Sequence, residues 1–319
     1  METYRVAQLI RDSRFEGWLM VRSAEKKTDR NDRGYVDLNL GDRSGEMNAK
    51  IWNWDPRTEV PESGRPIWVR GLVQEYNGRL QLRVESWRPA GPEDRISMGD
   101  LVPAAPREPG DMMREIRETV DGFENAALKR LTEEMLSMAG RRLEWFPAAQ
   151  RMHHAERSGL LHHTTDMLRL ARAAAETYPW LNRDLLFAGV ILHDLGKLEE
   201  LKSDECGNVT DYTRDGQLLG HLVRGITLLD RAAEKTGVSG ECVVLLEHML
   251  LSHHGEPEFG SPRPPMFPEA EALHWIDMMD ARMNTMKGAW EKTPEGAFSE
   301  RIFSLDRRVY HPRYTEDAE

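Results

Sequence analysis

Cysteine is nearly missing from this sequence: Cys206 and Cys242 are the only two in 319 residues. Two cysteines cannot build a disulfide framework, so stability must come from packed cores, and a reducing cytoplasm is the expected home. Long apolar runs are missing too. Nothing approaches the roughly 18 consecutive apolar residues that a membrane helix needs. The first residues, METYRVAQLIRDSRFEG, are charged throughout and contain no apolar signal-peptide centre. No membrane contact and no secretion are therefore expected, and no internal repeat is visible. What remains is an ordinary globular balance, 39% hydrophobic and 30% charged residues, in a chain long enough for two domains.

A net charge of −11 argues at first against nucleic acid, but it is unevenly spread. Residues 1–90 hold 16 Lys/Arg against 14 Asp/Glu, a balance of +2, which leaves 27 against 40, or −13, for the rest. The front of the chain can meet phosphate, whereas the acidic excess falls where helices need solvated faces and a metal centre needs carboxylates.

Periodicity divides the chain further. In GYVDLNLGD, Val36, Leu38 and Leu40 alternate with Tyr35, Asp37 and Asn39. In GEMNAKIWNW, Met47, Ala49 and Ile51 alternate with Asn48, Lys50 and Trp52. Asn77–Gly78 sits between two such runs as a hairpin signal, after which Leu80, Leu82 and Val84 alternate with Arg79, Gln81 and Arg83. About five strands in some 75 residues suit a small closed barrel of the OB-fold type; an open antiparallel sheet would read similarly. Residues 1–90 are thus expected to be an all-β nucleic-acid-binding domain. Residues 91–110, with four prolines, are expected to be an extended linker. From Asp111, a candidate N-cap, the period becomes 3.6, so 111–292 are expected to be an all-α domain. Residues 293–319 are expected to form a poorly anchored tail.

The helical part carries the chemistry. His163 shares a face with Met167, Leu170 and Ala174. His193–Asp194 end the apolar run LLFAGVILHDLGK, with Gly196 a candidate C-cap. His221 lies one turn beyond Leu218, His253–His254 close CVVLLEHMLLSHHG, and Asp277 lies one turn after Leu273. A lone His on an apolar helix face is usually a hydrogen-bonded core residue. Here five helices each bring a His or Asp to an apolar face or a helix end. Buried carboxylates are costly unless paired or metal-bound, and imidazole with carboxylate suits Mn, Fe, Co or Zn.

The pattern His163…His193–Asp194…Asp277 resembles the HD superfamily of metal-dependent phosphohydrolases, and His221 with His253–His254 resembles its two-metal subclasses. The fragments PAAQRMHHAERSGLLHHT, AGVILHDLGK, GHLVRGI, LSHHGEPEFGSPRPP and LHWIDMMDARM are similar to the YhaM-type 3′→5′ exoribonucleases, which also carry an OB-fold ahead of the HD domain. The resemblance thus spans nearly the whole chain. It selects His163 over His162, which becomes a neighbour at the pocket rim, and it favours Asp277 over Asp280. Ser158 stands where a second glycine beside Gly159 is expected. GEPEFGSP follows His254 in place of the GYP extension of the subclass that cleaves cyclic dinucleotides.

The resemblance implies hydrolysis of a phosphodiester assisted by two divalent transition-metal ions, Mn first among them, that activate a hydroxide. Asp194 is the candidate bridge. His163, His193 and Asp277 would complete one site, and His221, His253 and His254 the other. Lys197 would set a charge against the scissile phosphate; otherwise it is a solvated lysine past a helix end. His153 and His154 match the likeness and are candidates for substrate contact. On the barrel, Tyr35, Lys50, Trp52, Arg70, Arg79 and Arg83 interleave aromatics with cations, as proteins that bind single strands do. Trp18, Trp68 and Trp87 read rather as filling.

The expected activity is a cytoplasmic 3′→5′ exonuclease on single-stranded RNA that releases 5′-mononucleotides. DNA and homo-oligomerisation are left open. The rivals are an HD phosphohydrolase acting on free or cyclic nucleotides, which would not require a barrel, and a nucleic-acid-binding protein with a regulatory HD domain, which would lack ligands.

Overall fold

A computed structural model of the chain describes residues 5–29, 32–55, 59–76, 78–149 and 154–314. The chain divides into two compact units, Met1–Ala104 and Ala105–Glu319.

The first unit is a closed five-stranded barrel. Its strands are β1 (Arg14–Thr28), β2 (Gly34–Asp42), β3 (Gly45–Ile51), β4 (Pro66–Tyr76) and β5 (Arg79–Pro89). The order around the barrel is β1-β2-β3-β5-β4, with β3 and β5 parallel and every other pair antiparallel. Closure removes both sheet edges. The alternation read in the sequence is the inside–outside alternation of the barrel. Val36, Leu38, Leu40, Ala49, Val69, Val73 and Leu82 are buried in its core. Leu80 departs from that pattern: it is exposed near the β4–β5 turn, where its neighbours no longer face the interior. The turn itself spans two residues, because Tyr76 pairs with Arg79. Asn77 lies outside the described residues, and Gly78 has the positive φ of +73° that such turns require. The register shifts at Arg70/Gly71, where Glu85 is the extra, bulged residue of β5, and a Cβ at Gly71 would stand 2.4 Å from the Arg83 carbonyl oxygen.

The Pro-rich segment is not simply extended. Residues Met98–Leu101 form a helical turn, α1, that belongs to the barrel unit. The Arg43 amide donates to the Asp100 carbonyl, and Leu101 and Val102 are buried. Two apolar side chains among the prolines suffice to pin it.

The second unit is helical around one core. Its elements are α2 (Pro109–Asp121), α3 (Ala126–Ala139), α4 (Gly159–Thr177), α5 (Arg183–Leu192), α6 (Lys197–Glu200), α7 (Arg214–Thr236), α8 (Glu241–Ser252) and α9 (Pro268–Trp290). A two-stranded hairpin, β6 (Leu201–Ser203) and β7 (Val209–Tyr212), interrupts the helices; three or four residues per strand leave too little alternation to see in sequence. The start of α2 also departs from expectation: Pro109 takes the first helical position and Asp111 lies within the first turn. Asn125, Asn182 and Thr213 cap α3, α5 and α7 with side-chain oxygens. Residues Leu185–Leu192 of α5 are buried on every side, which is why that stretch is apolar all round. It packs against α3, α4, α8 and α9.

The C-terminal segment is anchored as far as it is described. Phe298 bridges Tyr310, Ile302 bridges Arg307, Leu305 and Val309 are buried, and the His311 ring donates to the Thr293 carbonyl (2.6 Å). Few apolar residues, spaced without period, hold it down, so its anchoring leaves no periodic signal.

Candidate metal centre

The polypeptide turns sharply where α5 ends. His193 is the last residue of helical character, Asp194 and Leu195 lie in the turn, and α6 starts at Lys197. Gly196 has an ordinary right-handed φ of −58°, so it is not the left-handed cap that its position suggests. Its role is clearance: a Cβ there would stand 2.0 Å from the His221 carbonyl oxygen and 2.7 Å from the Gly225 amide nitrogen. The turn holding Asp194 thereby lies directly on α7. That helix breaks at Gly220 (φ 71°, ψ 169°), which brings in His221 and leaves Leu218 and Leu219 exposed. The apolar face inferred from Leu218 is therefore not what positions His221; the kink is.

Five imidazoles converge on this turn, each anchored through Nδ1. The Nδ1 of His193 donates to the Val190 carbonyl (2.9 Å) and that of His253 to the Leu250 carbonyl (2.9 Å). The Nδ1 of His254 donates to the Phe259 carbonyl (2.8 Å), that of His221 lies 3.1 Å from Glu200, and that of His163 donates to Asp280 (2.6 Å). Fixing Nδ1 as donor sets each ring's orientation and turns each Nε2 inward.

The inward atoms form two groups about Asp194. Its Oδ2 lies 3.3 Å from His193 Nε2 and 3.8 Å from His163 Nε2, which is itself 3.2 Å from Asp277 Oδ1. Its Oδ1 lies 3.6 Å from His221 Nε2 and 3.8 Å from His253 Nε2, with His254 Nε2 3.3 Å from that of His221. His163, His193 and Asp277 have ligand atoms close enough for one ion, as do His221, His253 and His254. Among the described residues, His193 Nε2, His253 Nε2 and Asp194 Oδ1 are buried and find no hydrogen bond. Each such buried polar atom costs about 1–3 kcal/mol. A cation seated among them removes that cost, so the residues fit a metal ion.

The electrostatics agree. Burial and the neighbouring rings push His253 well below the usual imidazole range, and burial with His221 lowers His254. Both are neutral lone-pair donors at pH 7. Burial opposes charge on Asp194, but Lys197 and His193 overcome it and keep the carboxyl ionised. His163 is the exception: against burial, Asp277 and Asp280 raise it to about 10. Lys197 reaches Asp194 Oδ2 at 2.7 Å, so its ammonium sits on the central carboxylate and is not a solvated charge.

All seven candidate ligands thus come together. Asp277 and Asp280 separate by geometry: Asp277 meets Nε2 of His163, while Asp280 meets Nδ1 from behind. His154 is buried and lies against Asp280 (2.8 Å), a neighbour of the ligands in place of an exposed substrate contact; His153 lies outside the described residues. Glu200, which orients His221, went unnoticed in the sequence: it is 21 residues away, and only the hairpin and the kink bring it there.

On the barrel unit, the Tyr35 and Trp52 rings stack at 4.9 Å and Lys50 Nζ lies over both, 4.6 and 5.5 Å from their centres. Trp52 remains 42% exposed. Arg70, Arg79 and Arg83 are exposed, and Arg79 lines a hollow with Asn48, Tyr76 and Gln81.

Set against known proteins, residues 14–90 match the OB-fold nucleic acid binding domain and residues 160–282 the HD domain. The chain is 42% identical over 297 residues to the 3′-5′ exoribonuclease YhaM of Geobacillus sp., covering 92% of this chain and 90% of that protein. Similarity extends to the 3′-5′ exoribonucleases YhaM of Listeria innocua, 42% identical over 94% of this chain and 95% of the relative, and of Bacillus subtilis, 40% over 92% and 93%.

Proposed function

Because this chain belongs to the YhaM 3′-5′ exoribonuclease family, we propose that it hydrolyses single-stranded RNA from the 3′ end, one 5′-mononucleotide at a time, with two divalent transition-metal ions. The observation that carries this reading is the division of Asp194: one carboxylate oxygen faces His163 and His193, the other faces His221 and His253. One ion would be held by His163, His193, Asp194 and Asp277, the second by Asp194, His221, His253 and His254. Mixed imidazole and carboxylate ligation accommodates Mn, Fe, Co or Zn, and Mn is the first candidate. Bound there, such ions supply a nucleophilic water near neutral pH and polarise the phosphodiester.

The protein's own contribution is orientation and charge. Asp280 and Glu200 hold His163 and His221 in place from behind. Lys197, paired with Asp194, keeps the central carboxylate anionic and adds positive charge beside the site where a phosphate must come. Tyr35 and Trp52 offer ring faces to unpaired bases, and Lys50, Arg70, Arg79 and Arg83 meet the backbone phosphates. A content of only two cysteines suits a reducing cytoplasm, and no helix among the described residues is long and apolar enough to cross a membrane.

The test is a time course on 5′-labelled single-stranded RNA with Mn²⁺, read on a sequencing gel and by chromatography of the small products. A ladder shortening from the 3′ end, with 5′-mononucleotides accumulating and activity lost to chelator, is expected. Internal cuts, or hydrolysis that survives chelation, would overturn the assignment.

A further inference from the structure

Another cluster of ligand-type side chains stands beside the metal centre and takes no part in it. His154 occupies the turn before α4 with a left-handed backbone (φ 52°), Glu156 follows, and His162 projects from the first turns of α4. Both imidazoles are backed by a carboxylate at Nε2. His154 Nε2 lies 2.8 Å from Asp280 Oδ2, and His162 Nε2 lies 3.2 Å from Asp166 Oδ2. A carboxylate accepts and does not donate, so His154 Nε2 carries a proton toward Asp280, whereas His162 has a carboxylate at each nitrogen, Asp166 at Nε2 and Glu156 at Nδ1. The two Nδ1 atoms face one another at 3.1 Å, with Glu156 Oε1 2.7 Å from one and 3.7 Å from the other. Two ring nitrogens and a carboxylate oxygen at such separations repel unless a proton or a metal cation lies among them.

We propose that this triangle is a third metal site, for a divalent transition-metal ion held by His154 Nδ1, His162 Nδ1 and Glu156. The separations of 2.7, 3.1 and 3.7 Å bracket the roughly 3.4 Å expected between ligands of a tetrahedral ion at about 2.1 Å. Two imidazoles and one carboxylate with a fourth position open is a ligand set that Zn²⁺ takes, and Mn, Fe and Co share its preferences. Hydrogen bonding of each ring to a carboxylate through its other nitrogen is the habitual outer support of metal-bound histidine. Asp280 supports His154 and His163 with the same oxygen. An ion on His154 would thus stiffen the support behind the ligand His163. The competitor is a proton on His162: burial opposes it, but Asp166 and Glu156 raise that ring to about 9.

Counting ions separates the two occupants. Full-length protein is stripped with chelator, reloaded with Zn²⁺ or Mn²⁺, dialysed and measured by mass spectrometry. Glu156→Gln keeps the side-chain size, lies away from the seven ligands proposed above and is expected to lose one ion and no more. Asp194→Asn is expected to lose the others while retaining this one. Anomalous scattering from crystals of the unaltered Zn²⁺-loaded protein is expected to peak between the two Nδ1 atoms, which removes any dependence on how the variant folds. A Glu156→Gln protein with the parent's full count, or no anomalous peak there, would overturn the third site. An Asp194→Asn protein with the parent's count would instead overturn the two-ion reading of the main centre.

Discussion

In the barrel unit the charges proposed to meet nucleic acid are exposed or half-buried: Arg70, Arg79 and Arg83 face solvent, and Lys50 rests on aromatic rings at the surface. In the helical unit the ionisable groups of the candidate metal centre lie inside, with His163, His193, Asp194 and His253 all at 3% exposure or less. Exposed charge is cheap, screened by salt and individually weak. Buried charge costs several kcal/mol per ion unless compensated, so it persists where its neighbours are arranged around it. The first surface should therefore respond to substitution by degrees, the second almost all or none.

The sharpest way to break that contrast is Asp194→Asn, which keeps the shape and removes the central charge. RNA hydrolysis should fall by about three orders of magnitude or more, given how much of the rate metal ions supply. Binding of labelled single-stranded RNA, followed by fluorescence anisotropy, should barely move. Retained hydrolysis would end the metal assignment.

Next in size is Gly196→Ala. The added methyl would meet the His221 carbonyl at 2.0 Å, backbone against backbone, where no side chain can give way. A stability loss of about 1–3 kcal/mol is expected from such overpacking, seen as a lower Tm, together with a displaced His221 and weakened metal retention. A variant with unchanged Tm and ion count would show that the turn is not held against α7 as described.

On the barrel, Trp52→Ala should weaken RNA binding by about 1–3 kcal/mol, the usual loss of one stacked base. Hydrolysis of a small chromogenic phosphodiester should survive. Loss of that small-substrate activity in a folded protein would deny the separation of the two units' roles.

The effect with the smallest step, about tenfold per unit, is that of pH on metal uptake. Asp277 and Asp280 raise His163 to about 10 in the metal-free protein, so it is protonated at pH 7 and must release that proton to ligate. Apparent affinity should therefore rise with pH, about tenfold per unit for one proton, up to the folded-state value near 10. Isothermal titration in buffers of different ionisation enthalpy reads the released proton directly. A pH-independent affinity would contradict the charge placed on His163.

How far the sequence could be read follows from the same contrast. Alternation in 35–51 revealed the inward row Val36, Leu38, Leu40, Met47 and Ala49, because a strand's period of two is local and survives in any fold. Leu80 broke it only where the strand leaves the core. The helical ligand candidates were legible one at a time, as polar residues at the ends of apolar runs, and as a set through the family motif. Their outer supports were not: Glu200 behind His221 and Asp280 shared by His163 and His154 are contacts between residues 21, 117 and 126 positions apart. Gly196 was misread as a cap because sequence reports that a glycine is present, not whether its freedom or its lack of a side chain is being used.

By itself, then, the sequence determined the periods, the order of the two units and the residue types able to bind metal, since each depends on near neighbours or on composition. Which nitrogen of each imidazole turns inward, which aspartate meets His163 from the front and which from behind, and where the Lys197 ammonium rests were decided only in the folded chain. Those are questions of a few tenths of an ångström between residues far apart in sequence. They are settled by a kink at Gly220, by a turn packed on bare backbone at Gly196 and by the low dielectric around them.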